Sequence, residues 1–236
     1  MNPLYLAIDT PDTDTARRII DDVGDLIGGV KIGLTHWYAN GPATVGATVE
    51  GFDWFFDGKI YDIPMQAAGA IRSLIHLKPT FISLHVGILK PNASEEESQR
   101  EDSMLVAARS AAHDEADRLG VSTPKLLAVT ILTHLPATPT QVVALGHRAL
   151  LCGMDGLISS PVELPHLRHE LGVGPILMTP GIRAIGTPPD DQHRTATAWE
   201  AMMRGANFIV VGRPITQETT QQMRRDKTKA ILDSLP

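Results

Sequence analysis

Short apolar runs recur along the chain, separated by segments in which apolar residues fall three and four positions apart. Leu4-Tyr5-Leu6-Ala7-Ile8 ends in Asp9, and Val30-Lys31-Ile32-Gly33-Leu34 carries a lysine inside it. Trp54-Phe55-Phe56 runs directly into Asp57-Gly58-Lys59. Phe81-Ile82-Ser83-Leu84-His85-Val86, residues 126–130, Gly156-Leu157-Ile158, Pro175-Ile176-Leu177-Met178 and Phe208-Ile209-Val210-Val211 complete the set of short strands.

Between them the spacing predicts helices. Ala16, Ile19, Ile20 and Val23 share one helical face, with Asp12 or Thr13 as cap. A weaker helix over 38–49 contains Gly41, Pro42 and Gly46, all unfavourable there. Further helices are expected over 64–76, 104–119, 138–151, 162–171, 196–204 and 215–235. The polar, acidic stretch 92–103 has no periodicity, and 90–102 is expected to be a loop insertion. Residues 179–194 are expected to be a long loop.

Strands alternating with helices at this spacing argue for a parallel sheet with right-handed crossovers. Eight such units in 236 residues most simply close into a (β/α)₈ TIM barrel occupying residues 1–236 as a single domain. An open doubly wound sheet is the alternative, but no Gly-x-Gly-x-x-Gly follows the first strand.

Composition narrows the function. A net charge of −6 disfavours a nucleic-acid partner. The single Cys152 rules out an internal disulfide or a cysteine zinc site and fits a reducing compartment. No basic stretch precedes an apolar one at the N-terminus, and no run approaches the roughly 20 apolar residues of a membrane span. A cytoplasmic protein without membrane or nucleic-acid partners is expected.

The charges point to one place. Barrel sites lie at the C-terminal ends of the strands. Asp9, Lys31, Asp57, Lys59, His85, Thr133 and Arg213 all fall there. Asp57 and Lys59 are two apart and share a face of an extended chain, whereas Asp62 falls on the following loop and Pro64 opens a helix. A buried ion pair would explain the pair alone, but burying several charges is costly and more often marks a site. Lys31, if turned towards the helix layer, would be a costly buried ammonium; at the mouth it could pair with Asp57. Arg213 follows Gly212 at the last strand, where barrels commonly bind phosphate, and Arg183 and Gln192 lie on the preceding loop. His85 and His134 are read as locally hydrogen-bonded, Cys152 as packing, and the run from Asp190 to Arg194 as bordering the phosphate side.

Seven segments carry a resemblance: Leu6-Ala7-Ile8-Asp9, Val30-Lys31-Ile32-Gly33, the run 57–64, Val129-Thr130-Ile131-Leu132-Thr133, Thr179-Pro180-Gly181-Ile182-Arg183, Asp191-Gln192 and Val211-Gly212-Arg213-Pro214-Ile215. In these the chain resembles the orotidine 5′-phosphate decarboxylase family, in order and over nearly its whole length. The resemblance implies conversion of orotidine 5′-phosphate to uridine 5′-phosphate and CO₂, the last step of UMP biosynthesis, without metal or cofactor. It implies a homodimer with sites at its interface. Lys59, Asp57, Asp62 and Lys31 would be catalytic, with Lys59 protonating C6 and Asp62 donated to the partner's site. Asp9 and Lys31 would hold ribose hydroxyls. Ile63, Pro64 and Gln66 would lie near substrate across the interface, Thr133 near the pyrimidine, and Arg183, Gln192, Gly212 and Arg213 on the phosphate side.

Related keto-sugar-phosphate decarboxylases share the Asp-x-Lys-x-x-Asp run but resemble a magnesium site, with a carboxylate where this chain has Lys31; an ammonium there would repel a divalent cation. A non-catalytic nucleotide-phosphate binder is the other alternative, which would not need so many desolvated charges. Three departures from the family pattern stand out: Val86-Gly87-Ile88 with the polar stretch after it, Gln66 in place of a usual Thr, and His134 in place of a usual Ser.

Overall fold

A computed structural model of the chain describes residues 2–87, 94–133, 135–183 and 194–236. Eight parallel strands, β1 (Leu4–Ile8), β2 (Gly29–Ile32), β3 (Trp54–Ile60), β4 (Phe81–His85), β5 (Lys125–Val129), β6 (Gly156–Ile158), β7 (Ile176–Thr179) and β8 (Phe208–Val211), pair in chain order. β8 closes onto β1, with Leu4 opposite Ile209, so the sheet is a barrel. Around it run α1 (Thr13–Val23), α2 (Leu34–Thr48), α3 (Pro64–Ile75), α4 (Glu95–Leu119), α5 (Pro139–Leu151), α6 (Leu164–Leu171), α7 (Ala198–Met203), α8 (Arg213–Thr216) and α9 (Gln221–Asp233). The chain is a single-domain (β/α)₈ barrel.

Strand alternation divides the apolar residues into two cores. Leu4, Leu6, Ile8, Val30, Ile32 and Phe56 face the helices. Tyr5, Ala7, Phe55, Phe81, Leu127, Val129, Ile158, Met178 and Val210 fill the barrel. The lower interior is an aromatic plug: Tyr5 meets Phe81 and Phe208 edge-on at 5.6 Å, and Phe81 meets Phe208 at 5.2 Å. Such edge-to-face pairs fill the barrel floor with aromatic surface, the Tyr5 hydroxyl buried among them, and the charged side chains are left for the upper layers.

Four expectations are corrected. Residues 95–103 are helix, not a loop insertion; residues 90–93 of that expected insertion lie outside the described residues. Ser94 caps α4, its Oγ accepting from Glu97 N–H at 3.2 Å while the Glu97 carboxylate accepts from Ser94 N–H at 3.0 Å. This capping box starts the helix on a solvated face, so apolar periodicity appears only from Met104 and Leu105, both buried. α2 begins at Leu34, which the sequence placed in a strand, and kinks at Gly41, where φ is +71°. Glycine supplies that conformation, and Pro42 then resumes the helix. The closing helix is two: Thr220 accepts from Met223 N–H at 3.2 Å and starts α9 after a break. Finally, β3 is not a plain extended strand. Phe56 pairs with Ile82 and Ile60 with Leu84, so Asp57, Gly58 and Lys59 face Ser83 alone. Lys59 takes φ +48° within this bulge.

Candidate active site

The first four strands bring their polar side chains to one point. Lys31 follows inward Gly29 on β2 and is 8% exposed. Its Nζ lies 3.2 Å from Asp9 Oδ1 and 3.4 Å from Asp57 Oδ2. Lys59 Nζ lies 2.8 Å from Asp57 Oδ1. Asp57 therefore sits between two ammonium groups, and Asp9, just beyond β1, completes a row of alternating sign. Such a row is how a barrel can hold ions whose individual burial costs several kcal/mol. Burial acts to raise the Asp57 carboxyl, but Lys31, Lys59 and hydrogen bonds from Lys59 and Ser83 outweigh it and hold it below the usual range. Burial acts to lower Lys31, yet Asp57 and Asp9 raise it above the ordinary lysine value. Both groups are charged at neutral pH.

Two residues that the sequence did not single out shape this row. Ser83, fully buried on β4, accepts from Lys59 N–H at 2.9 Å and donates to Asp57 Oδ1 at 3.1 Å. The signal was present: Phe81, Ser83 and His85 alternate along the strand, and Phe81 faces inward. Gly33 is the other. A Cβ there would fall 2.0 Å from Asp9 Oδ1 and 3.2 Å from Lys31 Nζ, so only glycine lets the carboxylate reach the lysine.

A cavity of about 410 Å³ opens above the row. Asp9, Lys31, Asp57 and Lys59 line it together with Thr133, Arg183, Gly212 and Arg213. The rest of the lining is largely apolar and includes Ile131, Leu132, Val129, Ile158 and Val210. Arg194 braces the Leu132–Thr133 part of the lining. Its guanidinium donates to the carbonyls of Leu132 (3.0 Å) and Thr133 (3.1 Å) and pairs with the buried Glu163, which accepts from Ser160 N–H at 2.9 Å. Gln192 and His134, with Asp190, Asp191 and His193, lie outside the described residues.

The remaining expected residues are not in this cavity. Pro64 is the first residue of α3. Asp62, Ile63 and Gln66 are exposed, and Asp62 Oδ1 accepts only its neighbour's amide, Ile63 N–H, at 2.7 Å. Asp62 and Gln66 line a second cavity of about 500 Å³ with Lys59 at its border and Tyr38 and Tyr61 in its wall. His85 accepts from Gly87 N–H on Nδ1 at 3.1 Å and lies against Tyr61, its ring centroid 5.8 Å away. Burial, then the Lys59 charge, lowers its pKa, so it is a neutral, locally satisfied histidine. Among the described residues no three His, Cys, Asp or Glu side chains converge as metal ligands.

A row of alternating charges and two arginines lining one partly apolar cavity inside a closed barrel can hold an anionic ligand at more than one point. The family model of the orotidine 5′-phosphate decarboxylase / HUMPS family matches residues 2–224. The chain belongs to that family. Among curated relatives it is 34% identical over 231 residues to the orotidine 5′-phosphate decarboxylase of Rhodospirillum rubrum, covering 92% of this chain and 89% of the other. It is 36% identical over 243 residues to the enzyme of that name from Gluconobacter oxydans, covering 98% and 96%. Among solved structures, orotidine 5′-phosphate decarboxylase from Lactobacillus acidophilus superposes with a TM-score of 0.80 at 27% identity, covering 99% of each chain. The charged row stands where the sequence placed the Asp-x-Lys pair.

Proposed function

We propose that the chain decarboxylates orotidine 5′-phosphate to uridine 5′-phosphate and CO₂, in pyrimidine biosynthesis. The observation that carries this reading is the Lys31–Asp57–Lys59 row beneath the cavity, with contacts of 3.4 and 2.8 Å. Loss of the C6 carboxylate leaves an electron pair in the ring plane, where the pyrimidine π system cannot take it up. An ammonium fixed at that carbon stabilises the developing charge and then delivers the proton. Lys59 is that group, and Asp57 aims it. Unit charges 4 Å apart interact by about 4 kcal/mol at an effective dielectric of about 20, a useful part of the barrier but not all of it. The rest comes from a row of charges already in place before substrate arrives, and from phosphate binding far from the reacting carbon. Arg183 and Arg213, with Gln192, take the phosphate; Asp9 and Lys31 take ribose hydroxyls; Thr133 takes the pyrimidine edge.

The second cavity supports a homodimer. Tyr38 in its wall is 81% exposed, and Ile63 and Met65, beside Asp62 and Gln66 in the chain, are 60% and 72% exposed; apolar side chains grouped in the open mark interaction surfaces. A second copy covering that face would receive Asp62, with Ile63, Pro64 and Gln66, beside its own Lys59. Cytoplasmic location is proposed with it; among the described residues no helix is long and apolar enough to cross a membrane.

The keto-sugar-phosphate alternative is not favoured, because the Lys31 ammonium beside Asp57 repels a divalent cation. The first experiment is addition of orotidine 5′-phosphate with a chelator present, following the loss of its absorbance. Rapid conversion to uridine 5′-phosphate supports the proposal. Binding without conversion would leave a nucleotide-phosphate binder, and activity only on added magnesium would revive the keto-sugar reading.

A further inference from the structure

The mechanism above requires Lys59 to be aimed, yet its backbone is in a conformation that a lysine rarely adopts. Three residues of β3, Asp57, Gly58 and Lys59, lie opposite one residue of β4, Ser83, because Phe56 pairs with Ile82 and Ile60 with Leu84. The surplus buckles the strand. Lys59 absorbs the buckle at φ +48°, in the left-handed region where a side chain crowds its own carbonyl. Gly58 cannot be replaced to relieve it, since a Cβ there would fall 2.1 Å from the Phe56 ring. Strain of this kind persists only where surrounding contacts over-determine the backbone.

The contact that does so is a single hydroxyl. Ser83 Oγ accepts the Lys59 amide at 2.9 Å and donates to Asp57 Oδ1 at 3.1 Å, the same oxygen that takes the Lys59 ammonium at 2.8 Å. One atom therefore fixes both the backbone of the lysine and the carboxylate that orients its side chain. Ser83 is 0% exposed and is not among the residues that line the cavity.

We propose that Ser83 is a positioning residue for Lys59, locking the strained β3 bulge so that the ammonium stands over Asp57 at the reacting carbon. This rests on Lys59 being the proton donor of the proposed decarboxylation. Its role is not to bind substrate, which it does not face, but to keep the donor in register. An alanine would leave the Lys59 amide buried without an acceptor and free the bulge to relax.

The test measures Ser83→Ala in two ways. Steady-state kinetics on orotidine 5′-phosphate should show kcat falling about tenfold or more, with KM and the affinity for uridine 5′-phosphate within about threefold of wild type. Amide exchange over residues 54–63 should accelerate at Lys59. Ser83→Cys, of similar size but with a weak donor, should move both readouts in the same direction and serves if the alanine variant does not fold. Unchanged kcat, or equal losses of kcat and nucleotide affinity, would overturn the proposal. If the wild-type chain itself does not decarboxylate, the functional reading falls, and exchange at Lys59 alone decides: no acceleration in the variant removes Ser83 as the brace.

Discussion

The two halves of the barrel mouth are built on different principles. From β1 to β4 the cavity wall is charged, and its side chains are set by strands: Lys31 and Asp57 point inward by alternation, and the Lys31–Asp57–Lys59 contacts span 2.8 to 3.4 Å. From β5 to β8 the strands contribute apolar walls, Val129, Ile158 and Val210, and the polar groups come from beyond them: Thr133 and Arg183 from loops, and Arg213 from the first residue of α8. A strand fixes a side chain to within its register, so charges that must not reorganise during a reaction belong there. Loops can close on a ligand and bind its remote parts. On the proposed reading, the first half carries the chemistry and the second the grip.

The largest expected effect would break that division if it failed. Lys59→Ala should lower kcat by at least about a thousandfold, the factor corresponding to one fixed charge interaction of about 4 kcal/mol. Affinity for uridine 5′-phosphate, measured by titration calorimetry, should stay within a few-fold, because the second half of the mouth is intact. Retained turnover would reject Lys59 as the donor.

Arg213→Ala is the converse and comes next. A lost charge-assisted hydrogen bond should weaken uridine 5′-phosphate by about 10- to 100-fold. Uridine, which lacks the phosphate, should bind as before. Equal losses on both ligands would mean that Arg213 shapes the cavity rather than gripping one end of the substrate.

The same division decides what could be seen in the sequence. The strand-borne half was legible, since the cost of burying an ammonium against the helices puts Lys31 at the mouth, where it could pair with Asp57. Its irregularity was not: the bulge at Lys59 depends on how β4 pairs with β3, a long-range fact absent from the local pattern. Ser83 could have been found by carrying alternation one strand further. Beyond the last four strands, Arg213 was legible from its place after an apolar strand and Arg194 from the run bordering the phosphate side, but the contacts by which Arg194 pins Leu132 and Thr133, across 62 and 61 positions, were not. Contacts of that range carry no sequence period. Asp62 was rightly set apart from the Asp57 face by its odd spacing, and it lies exposed beside the second cavity.

Gly33→Ala sharpens the comparison within the charged half. The new methyl would strike the Asp9 carboxylate, at 2.0 Å, rather than any backbone. Asp9 is largely exposed and can swing away, so the fold should survive, with stability changed by less than about 1 kcal/mol. Lys31 then loses its 3.2 Å partner. A rise in KM of about three- to tenfold with a smaller fall in kcat is expected, since on the proposed reading Asp9 holds the ribose and not the reacting carbon. A kcat loss as large as that of Lys59→Ala would mean that Asp9 helps to hold the donor, and the charged row would have to be treated as one unit.

The smallest effect concerns a region outside both halves. Ser94 caps α4 from an exposed position, and its removal should cost about 1 kcal/mol of stability. In a chain of this size that corresponds to a fall of about 2–4 °C in the unfolding midpoint. Activity is the informative measurement. Among the described residues, α4 reaches the edge of the site through Glu101, whose carboxylate accepts from the Tyr61 hydroxyl at 3.3 Å. Tyr61 adjoins Asp62 and His85, not the charged row. If the first turns of α4 are simply a solvated helix, Ser94→Ala should leave kcat and KM unchanged while the midpoint falls. If activity falls with it, fraying of those turns is being passed through Glu101 and Tyr61 to Lys59, and the mouth has a third wall.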